Sequence, residues 1–143
     1  MQYHELEHAA KCYEKVYTHY LAFLTALKGS VSTNAGCKWG KDTCDSQPLR
    51  FFGRKLELTF RYDVNAEMGI ISLSEVVQDE RPKLKMNAGI DALGNIKIPG
   101  QTDYSYTRDM ELVVARMFGD ILGLQREVLE EPEAEERNPF KEE

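Results

Sequence analysis

Long apolar runs are missing from this chain, and none approaches the roughly 18 residues that a membrane span needs. Cysteine is scarce and odd in number, three in 143 residues, which argues against a secreted scaffold built on disulfides. The opening Met1-Gln2-Tyr3-His4-Glu5 has neither the basic nor the apolar stretch of a signal peptide, so a cytoplasmic location is expected. No G-x-S-x-G motif, dinucleotide fingerprint or Asx-rich calcium loop occurs. The segment Gly36…Gly40-Lys41 imitates a phosphate loop but is one residue short. It also lacks Ser or Thr after the lysine and follows a helical pattern instead of a strand. There is no internal repeat.

What is present fits one globular domain: 42% hydrophobic and 29% charged residues. The net charge of −6 is unevenly spread. Residues 130–143 hold seven acids against Arg137 and Lys141, or −5, which leaves −1 for the other 129 residues. With Pro132, Pro139 and few apolar residues, 130–143 reads as a disordered acidic tail following a single domain, 1–129.

Residues 3–28 carry apolar side chains at three-four spacing: Leu6, Ala10, Tyr13, Tyr17, Tyr20, Leu24 and Leu27. This predicts a long amphipathic helix that Gly29 stops. Residues 29–50 have no period and read as a long loop, functional or mobile. Alternation then predicts strands at Leu56–Tyr62, at Ile71–Val77 and at Leu84–Ile90. A short fourth follows Gly94-Asn95 around Ile96-Lys97-Ile98. The three-four spacing returns from Met110 to Leu129, a second long helix. Gly119 and Gly123 share one face of it, where the first helix could approach closely. The expected fold is α+β, with both helices on one face of a four-stranded antiparallel meander. Helices so long would overhang a four-stranded sheet, and that suggests a homodimer.

The sharpest motif is His4-Glu5-Leu6-Glu7-His8. It matches the H-E-x-x-H pattern, in which two histidines one turn apart bind zinc and the glutamate activates water. His4, His8, Cys12, Lys15 and His19 fall in one sector of about 80° on the first helix. Positions i and i+8 lie about 12 Å apart, so His4, His8 and Cys12 cannot share one ion on a straight helix. A further ligand would have to come from Glu5, Cys37 or Cys44. The plainer reading is a solvated polar face. Cys37 and Cys44 bracket six residues, wider than a zinc knuckle, and read as reduced thiols or a switchable disulfide.

These features predict a small cytoplasmic, non-enzymatic interaction or adaptor protein, homodimeric, with no cofactor and a protein partner. The expected contact residues are Lys38, Trp39 and Lys41 in the loop, with Lys55, Arg61, Lys83, Lys85 and Lys97 on the outer sheet face. Trp39 could equally fold back over the core. One alternative is a metal-dependent hydrolase or metal-binding protein, with zinc on His4, His8 and Cys12 and Glu5 as the base. Another is a nucleic-acid-binding regulator that uses the basic sheet face.

Overall fold

The computed structural model describes residues 2–31, 36–43, 46–119 and 121. The long helix α1 spans Tyr3–Ser30. Seven strands follow: β1 Cys37–Trp39, β2 Ser46–Phe51, β3 Arg54–Asp63, β4 Met68–Glu75, β5 Lys83–Ile90, β6 Asn95–Lys97 and β7 Tyr104–Ser105. Helix α2 covers Met110–Phe118. The strands pair antiparallel in chain order, a continuous meander. Among the described residues, no helix is long and apolar enough to cross a membrane.

This corrects the expected fold in two places. The sheet has seven strands and not four: β1 and all of β2 but Phe51 lie inside the stretch read as loop, and β7 was not expected. In β2 the buried positions are Gln47, Leu49 and Phe51, a clean alternation hidden by an amide in the core and a proline mid-strand. The Gln47 side-chain amide donates to the Gly40 and Pro48 carbonyls, while its Oε1 is buried without a hydrogen-bond partner among the described residues. The Pro48 carbonyl accepts from the Gly40 amide at 2.9 Å, and the return bond that proline cannot donate to Gly40 is supplied by the Gln47 side chain. The strand β7 is only two residues long, too short for alternation to register. The second correction is the C-terminal helix, which is short and closes at Phe118 with Gly119 as its C-cap. The acidic stretch 130–143 and Gly123 lie outside the described residues.

One face of the sheet carries the core: Leu56, Leu58 and Phe60 of β3, Ile71 and Leu73 of β4, and Ala88 and Ile90 of β5. Both helices pack on this face. From α1, Val16, Tyr20, Phe23, Leu24 and Leu27 are buried, all in its C-terminal two-thirds. From α2, Phe118 meets Phe51 with ring centroids 4.9 Å apart. The N-terminal part of α1 leaves Tyr3 and Leu6 exposed, 75% and 55%. Leu84, expected inward, is turned outward by an irregularity in the β4–β5 register between Leu73 and Ser74.

A glycine sets the helix-on-sheet contact. The Phe60 ring lies across Gly69 of β4, where a Cβ would overlap the ring edge and stand 3.0 Å from Ile90 Cγ2. On its other side Phe60 stacks on Tyr20 of α1, centroids 4.5 Å apart. Gly69→Ala should therefore cost about 1–3 kcal/mol through overpacking. By contrast Gly29, in α1 with open space around its Cβ position, should gain about 0.5–1 kcal/mol on substitution by Ala. Urea unfolding of both variants checks this, and equal midpoints for the two would contradict it.

Candidate functional site

The polar strip of α1 does not simply face water; two turns of the sheet rise against it. The β5–β6 turn brings Gly94, at φ +85°, under His19. The His19 Nδ1 lies 3.0 Å from the Tyr106 hydroxyl. A Cβ at Gly94 would stand 2.9 Å from that nitrogen. His19 is thus a packing residue, wedged between a turn and a tyrosine.

The β3–β4 turn meets the strip nearer its start. Asp63 opens this turn, its carboxylate accepting from the Asn65 and Ala66 amides at 3.0 and 3.2 Å. The turn closes on Glu67, held in the left-handed region at φ 53°. That conformation costs a non-glycine residue roughly 1–2 kcal/mol, and it delivers the Glu67 carboxylate to α1. Oε2 lies 3.0 Å from His8 Nε2. One turn along the helix, Cys12 Sγ lies 3.5 Å from the same nitrogen. The three ligand atoms all fall within 4.8 Å of one another. Side-chain exposures of 64% for His8 and 55% for Glu67 leave the group open to solvent. An exposed pair of this kind adds only about 0–1 kcal/mol to stability, less than the turn conformation costs.

Tyr62 closes the inner side of this group. Its ring meets Tyr13 edge-on, centroids 5.5 Å apart, and its buried hydroxyl lacks a hydrogen-bond partner among the described residues. Burial raises the phenol above its ordinary pKa, and the charges of Cys12 and Glu67 raise it further. Interaction of the hydroxyl with the neighbouring Cys12 sulfur raises it as well. The hydroxyl is thus directed at the cluster yet unsatisfied within it.

The H-E-x-x-H residues separate. His8 enters the cluster with Cys12, while His4 stays outside it and lines, with Glu5, His8, Val64, Asn65 and Glu67, an adjoining cavity of about 550 Å³. Glu5, expected as a base, instead caps α1, its Oε1 accepting from the Gln2 amide at 2.6 Å. Glu67 escaped the sequence reading because it lies 59 residues from His8, in a segment whose only local signal is that of a turn.

The second set of expected contact residues divides as well. Trp39 faces the core side and packs on it, its indole N–H donating to the Val31 carbonyl at 3.0 Å while Lys28 lies over the ring. Lys83 pairs with Glu80, Lys85 with Glu75, and Lys97 with Asp91 and Asp103. Arg61 borders an outer-face cavity of about 360 Å³ with Met68, Ile70 and Lys97. Lys41 is exposed just past β1.

Lys38 and Lys55 stand differently. The register sets Lys38 opposite Arg50 and Arg50 opposite Lys55, an unbroken row of three cations across β1, β2 and β3. None forms an ion pair among the described residues. The row borders a cavity of about 470 Å³ that Pro48, Val76 and Glu57 also line. Glu57 accepts from Ser46 Oγ at 2.6 Å, a neutral hydroxyl that leaves its charge at the edge of the row. Arg50 escaped the sequence reading because β2 did. Cys37 is buried, which raises its thiol pKa; Cys44, and with it the disulfide alternative, lies outside the described residues. Comparison of the chain with protein-family models, with curated proteins and with solved structures finds no match in any of the three.

Removing the stranded hydroxyl tests the reading of Tyr62. Tyr62→Phe should leave stability unchanged or raise it by about 1 kcal/mol, because a buried unsatisfied group is deleted. A loss above 1 kcal/mol by urea unfolding would show that the hydroxyl is bonded.

Proposed function

We propose that this protein is a non-catalytic interaction module that binds an acidic, extended segment of a protein partner along the outer face of its sheet. The supporting observation is the in-register row Lys38, Arg50 and Lys55. Like charges directly opposite on neighbouring strands destabilise a sheet, each pair by about 0.2–1 kcal/mol. Such a row, with no ion pair among the described residues and only Glu57 bordering the same cavity, carries a repulsion that an anionic partner relieves. Adjacent strands are about 4.8 Å apart, so the row is roughly 10 Å long. It borders the apolar surfaces of Pro48 and Val76, which suit side chains of a peptide.

A protein segment fits this surface better than nucleic acid. Single-stranded bases bind by stacking on aromatic rings; near the row Phe51 is buried, and Trp39, which borders the cavity, is held by its bond to Val31 with Lys28 over its ring. Three cations also make a short footprint for a phosphate backbone, whose binding strength grows with the number of phosphates neutralised.

Replacing the central cation separates function from folding. Arg50→Thr should raise stability by a few tenths of a kcal/mol and weaken binding of a short poly-glutamate peptide about tenfold, equal to about 1.4 kcal/mol. The same change at Lys83, already paired with Glu80, should alter binding little. Fluorescence anisotropy at low salt reads both, and affinity should fall as salt rises. Equal binding by Arg50→Thr and wild type would overturn the proposal, and so would tighter binding of single-stranded DNA than of the peptide.

A further inference from the structure

We propose that His8, Cys12 and Glu67 form a binding site for a divalent transition metal of the zinc class, at the junction of α1 with the β3–β4 turn. This goes beyond the interaction surface and stands apart from it. Imidazole nitrogen, thiolate sulfur and carboxylate oxygen are the donor types zinc takes. With zinc bonds of about 2.0 Å to nitrogen or oxygen and 2.3 Å to sulfur, tetrahedral ligands lie roughly 3.3–3.5 Å from one another. The Nε2 to Sγ separation of 3.5 Å and the Nε2 to Oε2 separation of 3.0 Å lie close to that spacing, and the third, Sγ to the carboxylate, is within 4.8 Å and would close as a metal enters. The i, i+4 relation of His8 and Cys12 places both donors on one helix face, and the remaining donor arrives from the turn.

The Tyr62 hydroxyl supplies an independent pointer. It is buried beside the cluster with no hydrogen-bond partner among the described residues, and a buried unpaired polar group needs an explanation. The Cys12 sulfur, ionised on a metal, would be a stronger acceptor for it. Three protein ligands and one open position exposed to solvent is the arrangement of zinc sites that exchange ligands, in contrast to closed structural sites. Binding couples to proton release, since the thiol must ionise as the metal enters.

The left-handed conformation of Glu67 gives the test its discrimination. Glu67→Gly removes a ligand and relieves the turn, so metal binding and stability should move in opposite directions. The full-length chain, untagged and reduced, is titrated with cobalt(II) alone and then with zinc. One cobalt per chain is expected, with intense tetrahedral visible bands and a thiolate charge-transfer band that zinc abolishes. His8→Ala, Cys12→Ser and Glu67→Gly should each lower affinity by tenfold or more, while metal-free Glu67→Gly should unfold at a higher temperature than the metal-free wild type. His4→Ala should bind as wild type does. Tyr62→Phe should retain the thiolate band with weaker binding. Absence of a thiolate–cobalt band, or a band that survives Cys12→Ser, would overturn the proposal. Loss of binding in His4→Ala equal to that in His8→Ala would do so as well.

Discussion

The architecture hangs on one aromatic contact, the stack of Tyr20 on Phe60 above Gly69. Phe60 belongs to the long strand β3 and lies in the core face; the ring needs the space that glycine leaves on the neighbouring strand. Tyr17 adds a second contact to the same ring, centroids 5.6 Å apart. Together they fix both the height of α1 above the sheet and its rotation about its own axis. Rotation matters most. It turns Val16, Phe23 and Leu27 down into the core, and at the same time sets the His8–Cys12–His19 edge against the two turns beside the helix.

That edge illustrates how one sequence strip acquires two roles. His19 meets Gly94 and Tyr106 and is held by packing. His8 and Cys12 meet a carboxylate on an exposed turn and are held by little else. The difference lies in the partners supplied from afar, a glycine in one turn and a strained glutamate in the other. On the opposite side of the sheet, the Lys38–Arg50–Lys55 row has a similar character: side chains kept in an arrangement that folding alone does not favour. The two groups of side chains thus lie on different sides of the sheet, one set by helix and turn, the other by three adjacent strands.

Helix α1 and strands β3 to β6 were legible in the sequence because periodicity reports burial; β3 and β4 bury one face cleanly, and β5 does so less well. The first two strands were not, since Gln47 occupies a core position and Pro48 interrupts the run; only the tertiary partners Gly40 and Leu58 make sense of them. Leu84 misled because a register irregularity reverses its face, and such irregularities leave no trace in alternation. Two of the three residues of the cluster were legible, as His8 and Cys12 lie one turn apart on a recognisable face. Glu67 was not, because contacts between distant segments depend on where the helix lands on the sheet. For Trp39, a buried carbonyl at Val31 decided between core and surface, and no local pattern announces that.

The most direct measurement of the central contact is a double-mutant cycle with Tyr20→Leu, Phe60→Leu and the double variant, each followed by urea unfolding. A coupling energy of about 0.5–1.5 kcal/mol between the two positions is predicted, the range expected for a stacked aromatic pair beyond simple area burial. Additive effects, with coupling indistinguishable from zero, would mean that α1 does not rest on Phe60, and the placement of both turns against the helix would fall with it.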